Sequence, residues 1–143
     1  MPKQSIKINS ALYAGSFNPI HKGHLDIIRK AADLFDYVYV VVSQNPDKPS
    51  NDFKTNTAIL KEKTKFLDNV KVLENQNMLT AEFAKQLNVK YLVRSARNQT
   101  DYAYEIDLAS GNKLLNSQLE TILIIPDEDY LEYSSALERA KNV

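Results

Sequence analysis

One short segment constrains the fold of this chain more than any other: residues 13–24, with the sequence YAGSFNPIHKGH. Apolar residues between positions 6 and 12 predict a short strand before it. Apolar residues that recur with a period of about 3.6 between positions 25 and 35 predict a helix after it. Gly15 would allow a turn that a side chain would crowd, and Pro19 interrupts a continuing helix or ladder. The segment therefore predicts a strand, a tight turn and a helix.

The start of this predicted helix suits a phosphate group. A helix N-terminus carries partial positive charge and N–H groups without helical partners, and Gly23 would let such an N–H face a ligand. His21 and His24 are the only histidines in the chain, and both stand beside this end. A lone histidine is more often a surface or capping residue. The His-x-Gly-His spacing, the predicted turn and the Ser16 hydroxyl together favour a nucleotide-binding site.

Composition narrows the class of protein. A length of 143 residues suits a single domain over 1–143 with a real core. The formal net charge is zero, so we expect no nucleic-acid partner. The chain has no cysteine, which excludes disulfides and thiolate metal sites. No apolar run approaches the roughly 20 residues of a membrane span, and the first residues lack a signal-peptide core. We expect a cytoplasmic protein without a membrane partner.

Strand and helix patterns alternate along the rest of the chain. Residues 37–42 form a β-branched and aromatic run that is typical of a strand covered on both faces. Such alternation predicts an α/β fold with a single, doubly wound, five-stranded parallel sheet. The other predicted elements are strands at 70–73, 89–93 and 121–125 and helices at 55–67, at 79–87 with Thr80 as N-cap, at about 101–115, and from Ser134 to about 140.

Polar residues follow four of the five predicted strands, at the edge where open parallel sheets bind ligands. A solvated lysine, surface salt bridges or simple helix capping would explain any one of these residues. Their common position at one edge favours a shared site for anions instead, and a guanidinium suits phosphate oxygens. The residues are Ser16, His21 and His24 after the first strand, Lys48 after the second, Arg94 and Arg97 after the fourth, and Ser134 and Ser135 after the fifth.

Residues 15–24 resemble the signature of the nucleotidyltransferase superfamily, which carries His-x-Gly-His or Thr-x-Gly-His after its first strand. Over nearly its whole length the chain resembles the phosphopantetheine adenylyltransferase family. The run Arg94 to Arg97, followed by Tyr104-Glu105, is similar to the family's Arg-Gly-x-Arg and Tyr-Glu. Near the end, Pro126 and the run from Tyr133 to Ala136 are similar to its Pro, aromatic and serine pattern.

The resemblance implies a Rossmann-like nucleotidyltransferase fold, a homohexamer, and adenylyl transfer from ATP, with Mg²⁺, to 4′-phosphopantetheine. His24 would stabilise the transition state at the α-phosphate, with Ser16 nearby. Lys48 and Arg94 would hold the acceptor phosphate, and Thr80 would lie near the pantetheine arm. The implied catalytic residues are His24, Ser16, Lys48 and Arg94. The implied ATP-binding residues are Ser16, Phe17, His24, Ser95, Ala96, Arg97, Glu105, Tyr130, Ser134, Ser135 and Ala136, of which Arg97, Ser134 and Ser135 would take the β- and γ-phosphates.

Several positions depart from the family's pattern. The chain has His21 where the family usually has Thr, Asn18 where it has Asp, and Ser95 where it has Gly. His21 favours a first alternative, adenylyl transfer to nicotinate mononucleotide. Cytidylyl transfer to a phospho-alcohol is a second alternative, but the chain lacks a matching arginine-rich segment near its end. A catalytically inactive nucleotide-binding regulatory domain is the third.

Overall fold

The structure is a computed structural model, which describes residues 8–44 and 51–127. The predicted site residues Lys48, Tyr130, Ser134, Ser135 and Ala136, and the predicted last helix, lie outside the described residues. In chain order the elements are β1 (Ser10–Gly15), α1 (Lys22–Leu34), β2 (Tyr37–Ser43), α2 (Asn51–Thr64), β3 (Val70–Asn75), α3 (Thr80–Gln86), β4 (Tyr91–Ser95), α4 (Gln99–Leu115) and β5 (Glu120–Ile124).

These strands form one five-stranded sheet with the order β3-β2-β1-β4-β5. All four pairings are parallel, with Leu12 of β1 opposite Tyr39 of β2 on one side and Leu92 of β4 on the other. The predicted doubly wound sheet is therefore confirmed. The direction of winding reverses between β1 and β4, and open α/β sheets bind ligands at the carboxyl ends of the strands at such a point.

Helices cover both faces of the sheet. Ile28 of α1 and Leu60 of α2 are fully buried in one cluster, which includes Val40 of the sheet. On the other face Ala84 of α3 packs in a second cluster with Leu92. Burying a side chain the size of leucine contributes about 1.5–3 kcal/mol, so these two clusters hold the layers together. Among the helices described, none is both long and apolar enough to cross a membrane.

Several predicted boundaries are wrong. β4 covers Tyr91–Ser95 instead of 89–93, so Arg94 lies within the end of this strand and not after it. β1 continues through the predicted turn to Gly15, because this segment pairs with β2 and is largely buried. The predicted helix at 55–67 begins earlier, at Asn51, and ends at Thr64. Thr80 is not an N-cap but the first residue of α3, and the capping position is held by Leu79, whose apolar side chain cannot accept a hydrogen bond.

The start of α4 also differs from the prediction. The helix begins at Gln99 rather than near Asp101, because the side chain of Asn98 caps it. The Asn98 Oδ1 atom accepts the backbone N–H of Asp101 at 2.9 Å. Asparagine is among the preferred N-cap residues, so this signal was present in the sequence.

Candidate active site

A cavity of about 450 Å³ opens at the carboxyl edge of the sheet, where the winding reverses. We call it the first cavity. Its wall comes from the loop after β1, the first turns of α1, the end of β4, the start of α4 and the segment after β5. The wall includes Tyr13, Ser16, Phe17, His21, His24, Arg94, Ser95, Arg97, Asp101, Tyr104, Glu105 and Pro126.

Two histidines build the start of α1. His21 is the N-cap, and its Nδ1 atom accepts the backbone N–H groups of Gly23 at 3.1 Å and of His24 at 3.4 Å. His24 reciprocates, because its own Nδ1 accepts the backbone N–H of His21 at 3.2 Å. This is the reciprocal arrangement of a capping box. The prediction that the Gly23 N–H faces a ligand is wrong, since His21 already binds it.

His24 is a neutral hydrogen-bond donor in this setting. Burial, together with the nearby His21, lowers the pKa of His24 to about 3. Its Nδ1 accepts a hydrogen bond, so the proton of the neutral ring belongs on Nε2. The His21 ring stacks on it with centroids 3.6 Å apart, and the Phe17 ring meets it edge-on at 5.0 Å. These contacts fix the imidazole that lines the first cavity.

The turn between β1 and α1 is fixed by Phe17. This residue has a positive φ of 50°, a conformation that costs a non-glycine residue of order 1–3 kcal/mol. Its ring is only 2% exposed, and burying an aromatic side chain offsets that cost. A Cβ atom on Gly15 would lie 3.3 Å from the Phe17 Cζ atom. Gly15 therefore leaves room for the Phe17 ring, and the Asn56 side chain holds the Ser16 carbonyl at 3.4 Å.

Arg94 is locked by a buried carboxylate. Its Nε and Nη2 atoms donate to the two carboxylate oxygens of Glu105 at 2.7 and 2.8 Å, and its Nη1 reaches the Ala14 carbonyl at 3.4 Å. Burial opposes the charge of Arg94, but the Glu105 hydrogen bonds and charge outweigh it, and the pKa of Arg94 is raised. Both Glu105 oxygens are engaged, so this residue orients Arg94 and keeps it charged.

Arg97 is held in a similar way, by Asp101, which lies one turn before Glu105 on α4. Its backbone N–H and its Nε atom donate to Asp101 Oδ2 at 3.1 and 2.8 Å. The hydrogen bond to Arg97 lowers the pKa of Asp101, so the carboxylate stays charged. The Arg97 guanidinium lines the first cavity opposite the start of α1. A neutral donor and two cations therefore surround one space.

A second cavity, of about 310 Å³, adjoins the first. The two cavities share Ala14, Gly15 and Arg94 in their walls, so Arg94 stands at their junction. The rest of the wall of the second cavity combines apolar side chains with a few polar groups. These residues are Ser43, Leu79, Thr80, Leu92, Leu108, Asn112 and Leu115.

The structure brings together most of the predicted site residues that it describes. Thr80 lies in the second cavity with Arg94. Ala96 differs, because it is buried, 3% exposed, and lies outside both cavity walls. The residues gathered around the first cavity are Ser16, Phe17, His21, His24, Arg94, Ser95, Arg97 and Glu105.

The sequence reasoning missed several residues of the two walls. Asp101 follows Arg97 by four residues at a helix start, a spacing that favours an ion pair and was a usable signal. Pro126 entered the sequence analysis only as part of the family resemblance, and no local pattern shows that it reaches the first cavity. Asn112 and Ser43 carried no signal of their own, because long-range packing alone brings them to the second cavity.

Comparison with known proteins identifies the family. A family model described as cytidylyltransferase-like matches residues 12–141. A protein of Mycoplasma capricolum named phosphopantetheine adenylyltransferase is 43% identical over 130 residues, which cover 90% of this chain and 93% of that protein. The chain belongs to the phosphopantetheine adenylyltransferase family. A member from Latilactobacillus sakei is 40% identical over 89% of this chain and 78% of its own length.

Membership of this family confirms the prediction of a nucleotidyltransferase enzyme. Solved structures of more distant proteins agree in fold. A nicotinic acid mononucleotide adenylyltransferase of Plasmodium falciparum, complexed with NaAD, matches with a TM-score of 0.68 at 18% identity, covering 94% of this chain and 83% of that one. At this identity the likeness shows the fold that the phosphopantetheine family shares with its relatives.

Proposed function

We propose that the protein transfers the adenylyl group of MgATP to the phosphate of 4′-phosphopantetheine, giving dephospho-coenzyme A and pyrophosphate. The observation that carries this proposal is the position of Arg94 in the wall shared by the two cavities. A cation at that junction can meet the phosphates of two substrates that approach from opposite sides. The named relatives support the same acceptor.

The reaction needs positioning more than acid–base chemistry. A phosphate oxygen of the acceptor attacks the α-phosphorus of ATP, the bond between the α-phosphorus and the bridging oxygen breaks, and pyrophosphate leaves with that oxygen. The attacking phosphate is already anionic near neutral pH, so no strong general base is required. The protein has to hold two polyanions in line and stabilise the charge of the transition state.

His24 and Ser16 suit the α-phosphate. We assign to His24 the donation of its Nε2–H to a non-bridging oxygen, where negative charge has to be stabilised. A neutral imidazole donates without a change of charge, and the low pKa of about 3 keeps it neutral. The Ser16 hydroxyl, on the adjacent turn, lines the same cavity and would donate a second hydrogen bond.

The second cavity suits the pantetheine arm. That arm carries two amides on an otherwise aliphatic chain, and the wall offers Thr80 and Asn112 beside Leu108 and Leu115. With Arg94 at its inner end, the cavity would hold the acceptor phosphate beside the α-phosphate. Binding sites for such ligands are mostly apolar with a few placed polar groups.

The remaining assignments come from the family resemblance. Lys48 would assist Arg94 at the acceptor phosphate. Arg97 would bind the β- and γ-phosphates. Glu105 is expected to approach the nucleotide while it orients Arg94. The other residues that we assign to ATP are Phe17, Ser95, Ala96, Tyr130, Ser134, Ser135 and Ala136.

Magnesium enters this proposal as part of the substrate. The described residues contain no group of three histidine or acidic side chains that could hold a metal ion. Asp101 and Glu105, the carboxylates in the first cavity wall, are both bound by arginines. Phosphate oxygens and water suit Mg²⁺ as ligands, so ATP would carry the ion and neutralise its own triphosphate.

A homo-oligomer, a hexamer by resemblance, is our proposal for the assembly, and the cytoplasm is our proposal for the location. The outer face of α4 supports the first point. Tyr102, Ile106 and Leu114 are 53%, 45% and 89% exposed on this helix. Several exposed apolar side chains on one helix are more typical of a contact surface than of a solvated one.

His21 does not favour nicotinate mononucleotide as the acceptor once its structural role is known. Its ring caps α1, and threonine, which the family usually has there, is also a preferred N-cap residue. The substitution therefore keeps a capping function. We therefore infer the acceptor from the wall of the second cavity and not from His21.

Pyrophosphate release from MgATP by the purified protein tests the proposal. MgATP is offered with 4′-phosphopantetheine or with nicotinate mononucleotide. The third substrate pair is CTP with glycerol 3-phosphate. We expect release with phosphopantetheine alone. Release only with nicotinate mononucleotide would overturn the assigned acceptor, and silence with all three pairs would overturn the catalytic proposal.

A further inference from the structure

The segment that follows β5 is tied to helix α1 by two backbone contacts. The backbone N–H of Asp127 donates to Asp26 Oδ2 at 2.9 Å, across 101 positions of sequence. The carbonyl of Ile125 accepts a hydrogen bond from Lys30 Nζ at 2.8 Å. Pro126 stands between these two anchored residues, is buried, and lines the first cavity. The backbone of this segment is thus fixed on both sides of a residue in the site wall.

Asp26 is the centre of this arrangement. Its side chain is 3% exposed, yet it makes ion pairs with Arg29 at 2.7 Å and with Lys30 at 3.4 Å. Burial would raise the pKa of Asp26, but the Asp127 N–H, Arg29 and Lys30 together outweigh this effect. The pKa of Asp26 is therefore lowered, and its carboxylate stays charged. Both cations also pair with the Asp127 carboxylate, at 3.6 and 2.6 Å. A buried charge is costly unless several partners satisfy it, as they do here.

Asp26 does not line either cavity, so any effect that it has on a substrate would act through the residues that it holds. It lies two residues after His24 on the same helix. One turn of α1 therefore carries His24, which lines the first cavity, and Asp26, which holds the backbone of Asp127 next to Pro126 in the wall of the same cavity.

We infer that Asp26 is a positioning residue for ATP, which fixes the segment after β5 against α1 and so sets the width of the first cavity. The inference rests on the proposed function for the identity of the nucleotide. Its effect is confined to one substrate. Among the described residues, the wall of the second cavity contains none from α1 or from the segment after β5. A loosened anchor would weaken ATP binding and leave the acceptor site unchanged.

The test compares Asp26→Asn with Asp33→Asn. Asparagine keeps the size of Asp26 and an oxygen for the Asp127 N–H, but removes the charge. Asp33 is a matched control on the same helix, because its side chain is 76% exposed and its ion pair with Arg29 is long, at 4.0 Å. We expect Asp26→Asn to raise KM for ATP about tenfold, as when a charge-assisted hydrogen bond is lost, with KM for phosphopantetheine unchanged. Asp33→Asn leaves both constants unchanged.

A folded Asp26→Asn protein with unchanged KM for ATP would overturn the inference, and equal increases in both KM values would show a merely structural role. If Asp26→Asn fails to fold, the Lys30→Met variant tests the positioning role instead. It removes the bond to the Ile125 carbonyl and the ion pairs of Lys30 with Asp26 and Asp127, but leaves the pair between Asp26 and Arg29. We expect a smaller rise in KM, about threefold and confined to ATP. Unchanged ATP kinetics in that variant would overturn the inference.

Calorimetric titration of MgATP without acceptor separates this inference from the proposed function. If the wild-type protein transferred to another acceptor, the reaction assay with phosphopantetheine would fail, yet ATP binding would still be weaker in Asp26→Asn than in Asp33→Asn. Equal ATP affinity in those two variants would overturn the positioning role whatever the acceptor is.

Discussion

The two sides of the first cavity offer different kinds of hydrogen-bond donor to a ligand. On the α1 side, His24 is a neutral donor, fixed by contacts with His21 three residues away. On the β4 side, Arg94 and Arg97 are cations, fixed by the carboxylates of Glu105 and Asp101. In the proposed reaction both sides would face phosphates. One does so with a directed N–H group and the other with charge.

This difference suggests a division of labour. A neutral N–H group contributes where an oxygen gains charge during the reaction, because its strength depends on geometry. A guanidinium attracts a polyanion at every stage, so it contributes to binding as well. We therefore expect substitution of His24 to affect turnover, and substitution of Arg94 or Arg97 to affect substrate affinity too.

The largest effect is expected on the α1 side. His24→Ala removes the donor at the α-phosphate and is expected to lower kcat by about 10²–10³-fold, as for the loss of an oxyanion donor. ATP affinity, measured by calorimetric titration, is expected to change little. Lys22→Ala is a matched control, because Lys22 is exposed at the start of the same helix. Near-normal turnover in His24→Ala would remove the catalytic role of this residue.

The next effect separates charge from geometry on the β4 side. Glu105→Gln keeps the shape of the residue but leaves a single acceptor oxygen for the two N–H donors of Arg94, so one of the two orienting hydrogen bonds is lost together with the charge. KM for phosphopantetheine is expected to rise about tenfold, the factor for one charge-assisted hydrogen bond. Asp107→Asn, an exposed acidic residue on the same helix, serves as the control in steady-state kinetics. An unchanged KM would mean that Glu105 does not hold Arg94 for the acceptor.

The neutral state of His24 also affects stability at low pH. The unfolded chain protonates this ring near its ordinary pKa of 6.5, whereas the folded protein does so only near 3. Between these values the unfolded state binds more protons, so the free energy of unfolding falls as the pH falls. From pH 7 to pH 5 the loss is expected to be about 1–2 kcal/mol in urea unfolding. His24→Gln is expected to lose correspondingly less, and an identical pH dependence would contradict the low pKa.

The smallest effect concerns the helix cap. His21→Ala removes the side-chain acceptor of α1 and is expected to lower the free energy of unfolding by about 1 kcal/mol. His21→Thr, which restores the family's usual residue, is expected to retain most of the stability and the activity. Thermal unfolding of both variants provides the comparison. Equal losses in the two would show that His21 contributes something other than a cap.

The sequence could reveal those parts of the fold that depend on local pattern. Strand β2 and the order of the elements follow from β-branched runs and helical periodicity. The clustering of Ser16, His24 and Arg94 follows from the rule that the carboxyl ends of parallel strands meet at one edge. The β1 boundary was wrong because pairing with β2 extends the strand through a segment whose local pattern indicates a turn.

Contacts between distant positions could not be predicted in the same way. Asp26 meets the backbone of Asp127 only because α1 packs beside the end of β5. Glu105 is expected to contact the nucleotide, and no sequence pattern indicates that both of its oxygens also bind Arg94. Nothing in the local sequence distinguishes a carboxylate that orients an arginine from one that binds a ligand.

Kinetics of Arg94→Ala beside Arg97→Ala test whether Arg94 serves both substrates, because Arg94 alone of the two stands at the junction of the cavities. We predict that Arg94→Ala raises KM for phosphopantetheine and lowers kcat, each by at least about tenfold, as when a charge-assisted contact to phosphate is lost. Arg97→Ala is expected to raise KM for ATP alone. If Arg94→Ala weakened only ATP binding and left the acceptor kinetics intact, Arg94 would not join two substrate sites.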